Sequence, residues 1–222
     1  MDVRDQILSE ATRLFAARGF DATPLQDIAN AVGIRKPSLL YHFPSKGALR
    51  RGVFEKIAVH WNDALPRLLR AAASGEDQFD AVVAEMVAFF TRDPDRARLI
   101  IREVLDRPDD IKVLLESQVR SWVAIVCDYI RKGQAQGRVY PDVDPEAYVI
   151  QVVNLVIAGV ATYNCIGVLI ESDPGAAKLF ERHICELLRL ARRGLFVPEP
   201  AGSAKSATEV APAVRSPSFH TA

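Results

Sequence analysis

Residues 23–46, TPLQDIANAVGIRKPSLLYHFPSK, decide the fold. Thr23 is a helix-capping type, Pro24 suits a first helical position, and Gln26 completes a capping-box spacing. Leu25, Ile28, Ala29 and Val32 then recur at helical spacing and share one apolar face. Gly33 follows at once and permits the left-handed backbone that ends a helix and turns the chain sharply. Ile34 can fill the space between two helices. A second short helix is predicted from about Arg35, with Pro37 tolerated in its first turn. Leu39 and Phe43 face inward, leaving Arg35, Lys36, Ser38, Leu40, Tyr41 and His42 on the remaining surface. Pro44 stops that helix, and Ser45 is a good cap for the next. Two short helices around a tight glycine turn form a helix-turn-helix, which places its second helix in the major groove of DNA.

Charge points the same way. From Arg35 to Lys56 the basic residues are Arg35, Lys36, Lys46, Arg50, Arg51 and Lys56, and the acid is Glu55, a net +5 in a chain whose total is zero. A basic cluster in a neutral protein is an electrostatic footprint for phosphate, although a basic helix face can also be merely solvated.

Residues 4–49 resemble the N-terminal domain of the TetR family of transcriptional regulators. The resemblance is carried by Ile7, Ala11, Leu14, Phe15, Gly19 and Phe20, then Thr23, Asp27-Ile28-Ala29 and Ala31-Val32-Gly33-Ile34. Lys36, Ser38-Leu39, Tyr41-His42-Phe43, Ser45-Lys46 and Leu49 complete it. It implies phosphate contacts at Thr23, Tyr41, His42 and Lys46, and base-edge contacts at Lys36, Pro37, Ser38 and Leu40. Arg35 and Leu40 depart from the pattern, standing where a serine cap and an aromatic are common. Arg35 can reach a guanine or only a phosphate; Leu40 can touch a thymine methyl or only pack.

The rest of the 222 residues reads as all-α, with apolar content of 49% supporting a sizeable core. Helical patterns run over about 45–70, 76–91, 95–106, 109–136, 144–170 and 174–193, the last ended by Gly194. The expected organisation is a three-helix DNA-binding domain over 1–48, a larger helical ligand-binding and dimerisation domain over 49–196, and a disordered Pro/Ala/Ser-rich tail over 197–222. The start, MDVRDQILSEATRLF, reads as an amphipathic helix rather than a signal peptide, and Cys127, Cys165 and Cys185 do not form a disulfide or zinc pattern. A cytoplasmic protein is expected. Residues 149–170, VIQVVNLVIAGVATYNCIGVLI, carry no charge and are long enough to span a bilayer. Their polar side chains and the Asp144-Pro145 start favour a helix buried between its own domain and a partner subunit.

A single helix-turn-helix offers little area, so the resemblance implies a homodimer through the last two helices, reading a palindromic double-stranded operator. It also implies a small-molecule effector, for which Met86, Phe89, Phe90, Trp122, Tyr129, Asn154 and Asn164 are candidate lining residues. The same aromatics at helical spacing fit plain core. No cofactor, metal site or catalytic residue is expected, since His42, His60, His183 and His220 lack ligand spacing and no catalytic motif is present. The expected function is a repressor released from DNA by a hydrophobic ligand. The rival readings are control by a protein partner without a ligand, and activation.

Overall fold

The computed structural model describes residues 2–71, 75–166 and 176–198. The described residues are helical throughout, apart from short connections and one isolated antiparallel bridge between Val139 and Phe196. The helices are α1 (Val3–Arg18), α2 (Leu25–Val32), α3 (Lys36–His42), α4 (Lys46–Ala71), α5 (Gly75–Thr91), α6 (Pro94–Asp106), α7 (Pro108–Leu114), α8 (Arg120–Ala135), α9 (Pro145–Ile166) and α10 (Ala176–Leu195). Residues 72–74, 167–175 and 199–222 lie outside the description, so most of the expected tail is not placed.

The described residues form two compact units, those within 1–64 and 95–120, and those within 65–94 and 121–198. This division does not follow the expected boundary at residue 48. It cuts through α4 and assigns α6 and α7 to the same unit as the helix-turn-helix.

The first unit is built on one apolar cluster. Ile7, Leu8, Ala11, Leu14 and Phe15 of α1 meet Ile28 and Ala29 of α2, Leu39 and Phe43, and Leu49, Val53 and Phe54 of α4. Leu99 of α6 and Ile111 of α7 complete it. Each contribution follows three- or four-residue spacing along its helix, the stripe an amphipathic helix turns to a core. Gly33 adopts φ 78° and ends α2 as expected. Ser45 caps α4, its hydroxyl accepting from the Ala48 amide at 3.1 Å. Gly52 is required by close approach, because a Cβ there would stand 2.8 Å from Phe43 Cε1 and 3.2 Å from Leu8 Cδ2.

The second unit packs Cys127, Ile130, Val139, Val149 and Leu195 together, with Phe79, Trp122 and Phe196 against them. The Tyr148 hydroxyl donates to the Ala191 carbonyl at 2.6 Å, and burial raises its pKa. Gln134 braces the loop before α9 by donating to the carbonyls of Val143 (2.8 Å) and Tyr140 (3.1 Å). Asp144 caps α9 as expected, accepting from the Ala147 amide at 2.8 Å.

Beyond the division into units, three expectations about helix runs, ends and caps differ from the structure. The single helix over 109–136 is instead α7 and α8 joined by a π-helical segment, Leu115–Val119. A π segment keeps the chain helical but shifts the phase, so one hydrophobic period cannot describe the whole run. Gly194 does not stop the last helix, which continues to Leu195. There the following chain is held by pairing, with Tyr140 N–H donating to Leu195 O (3.1 Å) and Val197 N–H to Arg138 O (3.0 Å). The third difference is at Thr23 and concerns the site.

By length and composition, α9 is apolar enough to cross a membrane. One face packs inside the second unit through Val149, Val152, Val156, Ile157, Val160 and Tyr163. Elsewhere on the helix, Ile150 and Leu155 are exposed.

Candidate nucleic-acid interface

The recognition helix α3 has seven residues, too few to hold together in water without packing. It is fixed from below by Leu39, fully buried, and by Phe43 at its C-cap. Arg35 occupies the N-cap position with no side-chain cap bond, so its guanidinium is not spent on the helix. Arg35, Lys36, Pro37 and Ser38 are exposed on the first turn. Leu40 and His42 are partly covered. Tyr41 is 86% exposed, an unusual placement for a large aromatic, with its ring edge-on to His42 at 5.4 Å. Arg35, Lys36, Ser38 and Tyr41 are therefore all exposed on α3 and its N-cap.

Thr23 is not placed for a side-chain phosphate contact. It is fully buried, and its hydroxyl donates to Gly19 O at 2.7 Å, with Leu14 O at 3.3 Å. It does not cap α2 either: Pro24 takes the N-cap position without a side-chain cap bond. Thr23 instead ties the end of α1 to the start of α2. The sequence pattern could not reveal this, because the competing acceptors come from the preceding helix.

The basic cluster counted along the sequence is also thinner in space. Arg50 is largely buried; its Nε and Nη2 reach Glu103 Oε2 at 2.8 and 2.7 Å, and its Nη1 reaches Asp110 at 2.7 Å. Lys56 pairs with Asp5 at 2.7 Å. These two charges are matched by acids from distant parts of the chain. Arg35, Lys36 and Arg51 stay exposed, and Lys46 is partly covered. Arg4 adds a cation the sequence reading missed, lying over the Phe43 ring at 5.1 Å.

The candidate ligand residues divide. Met86, Phe89 and Phe90 of α5 are buried, and Trp122 and Tyr129 of α8 are partly so. Asn154 is exposed on α9 and does not line the interior of its unit. The Asn164 side chain lies outside the described residues.

An exposed, basic and hydroxyl-bearing recognition helix on a buried three-helix frame defines a helix-turn-helix DNA-binding regulator. Known proteins carry the assignment further. The profile of the family described as "Bacterial regulatory proteins, tetR family" matches residues 7–53. The HTH-type transcriptional repressor KstR2 of Mycolicibacterium smegmatis is 28% identical over 148 residues, 64% of this chain and 69% of that protein. The biofilm-operon negative transcriptional regulator IcaR of Staphylococcus aureus is 47% identical over 47 residues, 21% of this chain and 25% of its own length. Among solved structures, the ketosteroid transcriptional regulator KstR2 of Mycobacterium tuberculosis superposes with a TM-score of 0.67 at 17% identity, covering 89% of this chain and 96% of that one. FadR of Bacillus subtilis, solved with stearoyl-CoA, gives 0.68 at 14% identity, covering 86% and 98%. Residues 7–53 thus match the DNA-binding domain of the TetR family, and the described chain shares the fold of solved TetR-family regulators.

Proposed function

We propose that this protein is a homodimeric repressor that leaves its operator when a small hydrophobic ligand binds the second unit. The observation that carries the DNA half is α3, which is locked by Leu39 and Phe43 and presents Arg35, Lys36, Ser38 and Tyr41 outward. Lys36 and Ser38, in the first turn, read base edges; Arg35 reads a guanine; Leu40 and Pro37 add apolar contact. Tyr41, His42 and Lys46 meet phosphates, which fix register without reading sequence.

The dimer is supported by α9 and α10. Ile150 (52% exposed) and Leu155 (44%) on α9, and Leu190 (54%) on α10, leave apolar surface uncovered on the two helices expected to form it. A four-helix bundle across a two-fold axis would cover these side chains and pair two recognition helices about one turn of DNA apart. The same cover explains why α9 has a membrane-like composition in a cytoplasmic, non-enzymatic regulator.

The ligand half rests on Met86, Phe89, Phe90, Trp122 and Tyr129, apolar and aromatic groups concentrated on α5 and α8. Proteins of similar fold include a ketosteroid transcriptional regulator and a FadR solved with stearoyl-CoA. A bulky, largely apolar effector suits such a lining. Ligand release requires only that the ligand prefer the subunit arrangement that DNA does not. Native mass spectrometry of the purified protein tests both parts. The expected species is a dimer that takes up a long-chain acyl-CoA or a steroid; a monomer that takes up neither contradicts the proposal.

A further inference from the structure

Three side-chain cations converge on one aromatic ring in the loop between α1 and α2. Lys46 Nζ lies 4.5 Å from the Phe20 centroid, Arg107 Cζ 4.6 Å and Arg50 Cζ 5.5 Å. The ring attracts each of them, but like charges this close repel unless they are countered. Each arginine is countered by carboxylates, and Asp110 lies between the two, 2.7 Å from Arg50 and 4.0 Å from Arg107. Arg50 is held by Glu103 and Asp110, and Arg107 binds both carboxylate oxygens of Asp21.

Lys46 is held differently. Its ammonium donates to the main-chain carbonyl of Asp21 at 3.2 Å. Burial pushes it below the ordinary lysine range; the Asp21 charge pulls it back up, and Arg107 pushes it down again. Asp21 therefore acts twice. Its carbonyl accepts one ammonium N–H, and its carboxylate binds the guanidinium that would otherwise drive the ammonium away. An ammonium has three donors, so the carbonyl and the ring leave capacity for another acceptor. Lys46 is also the first residue of α4, where the helix end favours an anion.

We propose that Arg107 and Asp21 are positioning residues for DNA binding: their ion pair holds the Lys46 ammonium over Phe20, ready for a backbone phosphate. The proposal rests on the reading of Lys46 as a phosphate contact. Arg107 follows α6 and precedes α7, 61 residues beyond Lys46. No pattern within the helix-turn-helix points to it.

The test is equilibrium binding to a duplex that the wild-type protein selects from a random-sequence pool, measured over a range of salt. Lys46→Ala should weaken binding about tenfold and lower the salt slope by about one. Arg107→Met should weaken it about threefold, and Lys46→Ala/Arg107→Met should bind no worse than Lys46→Ala, because the second loss acts through the first. Asp21→Asn, a milder change, should repeat the Arg107→Met result should that variant unfold. Additive losses, or a further drop in salt slope from Arg107→Met in the Lys46→Ala background, would overturn the proposal and make Arg107 an independent contact. Wild-type binding at Arg107→Met and Asp21→Asn would overturn it too. Failure of the wild type to select any duplex would instead remove the DNA-binding reading beneath it.

Discussion

Arg50→Met is expected to destabilise the first unit by about 3–5 kcal/mol at pH 8, because it strands a buried carboxylate. The Glu103 side chain is 2% exposed and that of Arg50 11%. Glu103 already pays desolvation: burial pushes its carboxyl above the ordinary range, and Arg50 is the main group pulling it back. Without Arg50 the carboxyl rises further. A folded-state pKa above the unfolded value of about 4.5 means that stability is lost as pH rises through the folded value. It is regained as pH falls toward the unfolded one. The deficit of Arg50→Met relative to wild type should therefore be largest at alkaline pH and shrink as the pH falls toward the unfolded value. Arg50→Met/Glu103→Met should recover most of it at every pH, since a buried ion pair replaced by apolar groups is often neutral. Urea unfolding of the three proteins across this range is the check. A pH-independent deficit, or one under about 1 kcal/mol, would show that the pair is solvated.

Phe43→Ala is expected to cost about 3–5 kcal/mol and to abolish specific DNA binding. Phe43 is 4% exposed and fills the space left by Gly52, whose missing Cβ admits its ring edge. It stands at the C-cap of α3, where its amide donates to Leu39 O at 2.9 Å, a bond that alanine keeps while losing the ring. Only Leu39 would still anchor the recognition helix from within it. Binding should fall even under conditions where the variant stays folded, because a helix held at one end does not keep its base-facing turn in register. Thermal unfolding together with duplex binding separates the two effects. Near-wild-type affinity in a folded Phe43→Ala protein would mean that α3 is positioned by something else.

The helix-turn-helix was legible because its determinants are local. Gly33 sits where a left-handed turn is needed, Leu39 and Phe43 are four apart on one helix, and Ser45 caps its own helix. What was not legible depended on distant partners. Arg50 and Lys56 count as basic footprint in sequence, but Glu103, Asp110 and Asp5 meet them only in the fold. Thr23 has the chemistry of a cap and phosphate ligand, yet Gly19 and Leu14 supply acceptors that bury it. Leu99 and Ile111 join the first core from far along the chain, which local spacing does not show. The phase shift at Leu115–Val119 has no Pro or Gly to announce it.

The central claim is that α3 reads bases in a two-fold site. Selection of duplexes from a random pool, followed by sequencing, tests it most directly when wild type and Lys36→Ala are run in parallel. The wild type is expected to recover an inverted repeat with half-site centres about one helical turn apart. Lys36→Ala should recover the same spacing with relaxed preference at matching positions in each half. Recovery of a single unrepeated site, no enrichment by the wild type, or identical preferences from both proteins would contradict the account.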